Sequence, residues 1–556
     1  MHNIKIQLTI SLIFIVLICF GTLFPSSSSF VNSQIAPKVY SFIFCSAAIL
    51  IILAVYSLVS DGSKKLQLNA LILPVCITIT TLITFQAIYG IAQFKRLLPA
   101  FGIYRVTGSF DNPAGFAACL CAGFPFFFYF LAEKERWKRS VSILCMLVVG
   151  FSVSLSGSRA GLFSLAVVCI LGFFHLFKIN GKQKILVGVF LAILLTGLYF
   201  MKKDSADGRL LIWRCSWEMI KDKPLTGHGM GGFKANYMNY QAKYFEKHPD
   251  SKQALLADNI SRPFNEYIGL LVNHGLLGFL LLILLLFYLV KTFWQNTGKT
   301  LFTCIAFWCL TAIAVFALFS YPLRYPFVWV AGLLSCSVIL FQGKDWHILI
   351  RKLTFPILVF SLTPIICIDS YSRLRAEMKW CAVAHKSLAG QTEQMLPEYK
   401  SLHNKLFNNE LFLYNYAAEL NFSKHYEESQ SIANECERLW ADYDLQMLIA
   451  DNCQQLKNYT EAEMHYWKAA AMCPVKFSPL YGLAKMYDAI GRKNEAITVA
   501  EQIINKSIKI TSPTVIAIQR EMRQLIEEER NNKLQNENTR QGETPDLQQS
   551  GIALPP

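Results

Sequence analysis

Six arginines stand in polar stretches that separate the apolar runs of this 556-residue chain: Arg105, Arg159, Arg209, Arg214, Arg262 and Arg324. A guanidinium keeps its charge and offers paired in-plane N–H donors, so the chemistry it suits is the holding of phosphate or diphosphate oxygens. Arg159 lies in a tight turn, SGSRAG, with apolar runs on both sides, and Arg262 opens RPFNEY at the mouth of another apolar run. Three nearby groups are candidates to carry a proton: Glu266, His228 and Asp258. A carboxylate becomes a useful base when burial raises its pKa, and imidazole has a suitable pKa unperturbed. Asn112 and Asn265 stand at two helix mouths, where they either touch the same ligand or cap the helix that follows.

The elements that must position these groups are membrane helices. The chain is 53% hydrophobic, too apolar for an ordinary soluble protein. Its apolar residues form long runs as far as Asp369, after which the sequence turns polar. The expected fold is therefore all-α. A polytopic membrane domain is expected over 1–370, with a large loop at 202–263. Eleven runs approach the ~20 apolar residues a span needs: 7–24, 39–60, 67–91, 114–132, 139–156, 160–177, 185–201, 266–290, 300–320, 325–342 and 353–370. The first reads as an uncleaved span or as a signal peptide, since Lys5 precedes it but no clear cleavage site follows.

The net charge of +15 is carried largely by short loops between runs, which argues for membrane orientation and against nucleic acid. With the N-terminus in the cytoplasm, each inside loop is basic: Lys64 and Lys65; Lys134, Arg136, Lys138 and Arg139; Lys178, Lys182 and Lys184; Lys291 and Lys299; Lys344, Arg351 and Lys352. That topology puts TGSFDNP, SGSRAG, the 202–263 loop, Arg262 and SYPLRYP on the outer face together. It also puts everything after residue 370 outside. The sixteen cysteines mostly lie in apolar runs, without the spacing of a metal site or a disulfide framework.

Within the large loop, Leu210, Leu211, Trp213, Trp217 and Ile220 form one helical face, as in an amphipathic helix on a membrane. Lys223-Pro224 stops it. GHGMGG then supplies a turn in which backbone amides can approach a ligand closely, but no dinucleotide fold surrounds it. Beyond residue 373, small residues recur at spacings of 33 to 34: Ala417, Ala450 and Ala484, and again Ser429, Ala462 and Ala496. This pattern looks like tetratricopeptide repeats over 373–530, with Tyr416, Tyr466 and Tyr487 as core residues. A polar tail, 531–556, is expected to be disordered.

The order of GSFDNPAGFA, SGSRAGL, GRLLIWRCSWEMIKDKPLTGHGMGGF and FNEYIGLLVNHGLLGFLLL resembles the O-antigen ligase superfamily, over roughly residues 70–340. The resemblance implies a bacterial inner-membrane enzyme that transfers a glycan from undecaprenyl pyrophosphate to an acceptor hydroxyl on the extracytoplasmic face. It implies arginines on the pyrophosphate, which match Arg159 and Arg209, with Arg262, Arg214, Asn265 and Asn112 as further binding candidates, and it implies no metal and no cofactor. The acceptor separates ligase, polymerase and protein O-oligosaccharyltransferase: a lipid, a growing glycan or a protein. The repeats offer a surface for a protein partner. One departure matters. Many members carry His-x-His-Asn where this chain reads Arg262-Pro263-Phe264-Asn265, so the family's base is a phenylalanine here. Two readings of other classes stay open: a transporter, and a non-catalytic membrane scaffold. A transporter usually buries ionisable groups near the bilayer midplane, whereas here the polar groups cluster at one face.

Overall fold

The computed structural model describes residues 2–59, 68–176, 180–200, 203–341 and 354–542. Its regular structure is helical, with no strand among the described residues. The first thirteen helices are α1 (His2–Leu23), α2 (Ala36–Val59), α3 (Leu68–Phe94), α4 (Pro113–Gly123), α5 (Phe127–Leu131), α6 (Arg136–Ser156), α7 (Arg159–Leu176), α8 (Gly181–Phe200), α9 (Lys203–Asp222), α10 (Gly232–Lys247), α11 (Glu266–Gln295), α12 (Leu301–Ala317) and α13 (Pro326–Phe341). Each of the eleven apolar runs contains helix. Among the described residues, however, seven helical stretches are long and apolar enough to cross a membrane, and three apolar helices are shorter. Composition located the runs; polar turns such as Tyr321–Arg324 set where the helices stop, and so shorten several of them. The basic loops at 60–67, 342–353 and Lys178 lie outside the described residues.

Two compact units divide the chain. The first comprises Met1–Tyr237 with Ser261–Glu419, and the second Met238–Ile260 with Leu420–Pro556. This differs from a boundary near 370. The helix Thr354–Lys386 continues through that position, despite Pro364 in its hydrophobic half. Part of the large loop also clusters with the C-terminal helices rather than with the membrane helices.

In the first unit α4 is the central element. It packs against α3, α6, α7, α12 and α13. Small residues permit this, as is usual where membrane helices approach closely: a Cβ on Gly115 would lie 2.3 Å from the Tyr325 ring. Phe124–Phe126 forms a 3-10 turn around Pro125, which interrupts the run and separates α4 from α5. Long-range hydrogen bonds then gather the polar loops at one end. The buried Lys38 ammonium donates to the carbonyls of Pro25 (2.8 Å), Gln34 (2.7 Å) and Ser109 (2.7 Å). Asp111 pairs with Arg324 at 2.8 Å, and Leu323 N–H donates to Glu266 Oε1 at 3.0 Å. Three outer loops expected from topology are thus joined to one another by bonds.

The second unit is built of short helices, Tyr426–Glu437, Tyr443–Gln455, Tyr459–Met472, Ser478–Ala489 and Lys493–Asn505, each packed on the next. Ser429, Ala450, Ala462, Ala484 and Ala496 are all fully buried, as small residues between close helices should be. The last helix, Pro513–Gly542, covers part of the segment expected to be disordered. Its Glu, Gln, Lys and Arg residues are good helix formers, so polarity alone was a poor guide to order there. Residues 543–556 lie outside the described residues.

Candidate functional site

The site begins with a break in a membrane helix. Gly275 interrupts α11 with φ +62° and ψ −163°, a conformation open to glycine. The glycine-rich turn docks into that break. His228 N–H donates to Val272 O at 2.8 Å and Gly229 N–H to Asn273 O at 2.9 Å. In return Leu276 N–H donates to Pro224 O at 2.8 Å and Leu277 N–H to Leu225 O at 3.1 Å. Backbone freed by a break in a membrane helix has to be satisfied by neighbouring protein, and this turn does so. The fit is tight: a Cβ on Gly275 would sit 2.3 Å from Leu225 O. Two sequence motifs that read as separate features, PLTGHGMGGF and VNHGLLG, are therefore two halves of one joint. The His228 and Gly229 amides are engaged there, and His228 Nε2 lies 2.9 Å from Met219 O.

This joint fixes α9 against α11. Helix α9 buries Leu211, Ile212, Cys215, Met219 and Ile220, while Leu210 and Trp217 of the expected apolar face stay exposed. Its Trp213 Nε1–H donates to Pro263 O at 2.9 Å, which ties the helix to the turn before α11. Arg209 is thereby brought over Phe264, with its guanidinium carbon 5.5 Å from the ring centroid. Phe264 has φ +53°, an unusual state for a bulky residue that costs on the order of 1 kcal/mol. Its ring meets Tyr321 edge to face at 5.4 Å. Tyr321 in turn lies under Arg262, 5.4 Å from guanidinium carbon to centroid. Arg159, at the start of α7, donates through Nη2 to Ser205 Oγ at 3.1 Å and is close enough to Arg209 to repel it.

The electrostatics follow from this crowding. Burial first, and the Arg159 charge second, bring Arg209 down to about 10. Burial first, and Arg324 second, lower Arg262 as well. Guanidinium stays protonated at neutral pH all the same, so these shifts measure how poorly the cations are compensated. Among the described residues no carboxylate forms an ion pair with Arg209 or Arg262 within 4 Å. Arg324 is different, since it is already paired with Asp111.

A cavity of about 550 Å³ opens beside this cluster. Arg262, Glu266, His274 and Tyr321 line its polar part; Leu285, Leu289, Leu310 and Ile313 line its apolar part, along α11 and α12. Glu266 is the one carboxylate among its lining residues. Asn265 also lines the cavity, and each remaining candidate has its own contacts. Asn265 caps α11, with Oδ1 accepting from Tyr267 N–H (2.9 Å) and Ile268 N–H (3.1 Å), and its amide donates to Leu318 O. Asn112 caps α4 and donates to Tyr325 OH at 2.8 Å. Arg214 is exposed on α9, five residues beyond Arg209. Asp258 belongs to the second unit, where its carbonyl accepts from Gln241 Nε2 at 3.0 Å and its Oδ1 from Asn259 N–H at 2.8 Å. Tyr321, His274 and the platform role of Phe264 did not emerge from the sequence, because each depends on a partner brought in from a distant stretch.

Residues 113–283 match the family model described as O-antigen ligase. An uncharacterized protein of Haemophilus influenzae is 26% identical over 206 residues, covering 32% of this chain and 50% of that protein. The chain therefore spans about half the length of this curated relative. The matched segment contains Arg159, Arg209, Arg262, Phe264 and the break at Gly275, and over this segment the chain is similar to that family.

Proposed function

We propose that this protein is a membrane glycosyltransferase that moves a glycan from a polyprenyl diphosphate to an acceptor hydroxyl, on the extracytoplasmic side of a bacterial inner membrane. The observation that carries this reading is the cluster of Arg159, Arg209 and Arg262, linked through Phe264 and Tyr321, whose member Arg262 lines a cavity that is otherwise largely apolar. Guanidinium groups suit the diphosphate, and the leucine-lined part suits an isoprenoid next to it.

In the reaction the acceptor oxygen forms a bond to the anomeric carbon, and the bond from that carbon to the phosphate oxygen breaks. The electron pair leaves with the diphosphate, where the arginines neutralise the developing charge. The acceptor proton has to go to a base. Phe264 offers none, and Glu266, held by Leu323 N–H inside the cavity, is the group we assign. His228 and Asp258 serve less well: the first has its Nε2 beside the Met219 carbonyl, and the second lies in the other unit.

Among acceptors we favour a lipid or a protein over a growing glycan, because a stack of short helices of the tetratricopeptide-like kind offers a protein-binding surface. The glycan profile of a deletion strain separates these outcomes: missing lipid-linked long chains point to a ligase, single-unit chains to a polymerase, unmodified secreted proteins to a protein glycosylase. The test of the chemistry is transfer by purified full-length protein from a polyprenyl-diphosphate glycan. Arg159→Ala and Arg209→Ala should each remove transfer while the protein still inserts in the membrane. Full transfer by both variants would overturn the reading.

A further inference from the structure

A cation that must accept a diphosphate has to be held in place without using up the N–H groups that will bind it. A carboxylate partner would fail on this count, because it takes the paired in-plane donors. An aromatic ring face attracts the guanidinium through its π electrons and leaves those in-plane donors available. The site contains a run of such contacts. Arg209 lies over Phe264, Phe264 abuts Tyr321, and Tyr321 lies under Arg262, with successive separations of 5.5, 5.4 and 5.4 Å. No ion pair with a carboxylate competes for either arginine among the described residues. The left-handed backbone of Phe264 is further evidence of a demanding fit, since a bulky residue adopts φ +53° only where its surroundings hold it there.

We infer that Phe264 and Tyr321 are positioning residues, a pair of aromatic platforms that hold Arg209 and Arg262 by their π faces and so keep both guanidinium groups open for the diphosphate of the donor. The inference rests on the diphosphate reading of the site. It gives Phe264 a positive role where the resemblance shows only a lost histidine. It also explains why the platforms come from separate segments: the residues before α11 supply one and the 320–325 turn the other, so the two arginines are set only when both segments are in place.

The discriminating experiment changes the ring's electrons and keeps its shape. Mono-, di- and trifluorinated phenylalanine are introduced at Phe264 in the full-length protein, and transfer is measured against donor concentration. The donor KM should rise stepwise with fluorine number, by about 3- to 30-fold in the trifluorinated protein, with kcat changing less. Tyr321→Phe, which keeps the ring, should lose less than Tyr321→Leu, while Phe264→Leu and Tyr321→Leu should lose at least as much as the trifluorinated protein. A KM that is flat across the fluorinated series overturns the proposal, even if Phe264→Leu is inactive, because the ring would then act by packing alone. If that flat series is accompanied by loss of transfer in Arg209→Ala, the platforms fail and the diphosphate reading stands. If Arg209→Ala and Arg262→Ala both transfer normally, the diphosphate reading itself fails.

Discussion

Two arginines of the first unit, Arg209 and Arg262, are held differently from the paired cations of the second. In the second unit, cations are satisfied by acids. Arg492 bonds Glu463 at 2.7 Å and Glu495 at 2.9 Å, Lys468 bonds Glu437 at 2.9 Å, and Lys493 bonds Asp488 at 2.6 Å and Glu529 at 3.0 Å. In the first unit, Arg209 and Arg262 are held over rings and crowded by other arginines. Even the shared motif differs. Arg492 also sits over an aromatic ring, Tyr487 at 4.4 Å, yet it has two carboxylates besides. A cation over a ring is thus compatible with simple architecture, and what marks Arg209 and Arg262 is that neither has an ion pair with a carboxylate among the described residues. Charges that complete each other stabilise a fold; charges left uncompensated at a cavity call for a ligand.

The sharpest way to break this comparison is through the joint that creates the site. Gly275→Ala would put a methyl group against Leu225 O and force an unfavourable backbone. Transfer should fall to background, measured on protein extracted from the membrane, while the second unit keeps its helical content by circular dichroism. Substantial activity in this variant would mean that the broken helix does not set the arginines. A smaller and opposite effect is expected in the second unit. Ala450 is fully buried, and Ala450→Leu should destabilise that unit by about 1–3 kcal/mol through overpacking, read as a lower thermal transition. Transfer that depends on Arg209 and Arg262 should be untouched by it.

An effect of comparable size is one of pH. Asp442 caps the helix Tyr443–Gln455 and accepts from Asn259, and burial raises its pKa to about 6. A carboxyl raised above its unfolded value of about 4 favours the folded state below that value and loses this advantage as pH climbs toward 6. Asp442→Asn keeps an oxygen for the cap and removes the titration. The wild type should lose up to about 3 kcal/mol between pH 4 and 6 on this group's account. The variant should lack that component of the decline, as followed by thermal unfolding of the full-length protein.

The sequence carried much of this arrangement and lacked the rest for definable reasons. Arg159, Arg209 and Arg262 could be singled out because type and sidedness are local properties, and the structure brings them together. Asn112 and Asn265 could be read as caps, since an Asn before a helix bonds its own chain two and three residues on. The buried positions of Ala450, Ala462, Ala484 and Ala496 could be read from spacing alone. Phe264 and Tyr321 could not be paired, because 57 residues of chain and two whole helices, α11 and α12, separate them. Gly275 looked like one glycine in an apolar run, and its break became visible only with Pro224, Leu225 and Gly227 set against it. Polarity understated how far the last helix runs.

The most direct test of the central claim is a binding titration. Inorganic diphosphate is titrated by calorimetry into purified full-length protein in detergent, alongside Arg209→Ala and Arg262→Ala. The unsubstituted protein should bind it with a salt-sensitive affinity, and each substitution should weaken binding at least tenfold, by about 1.4 kcal/mol or more. Binding that is undiminished in both variants, or absent from the unsubstituted protein, would contradict the assignment of these arginines to a diphosphate.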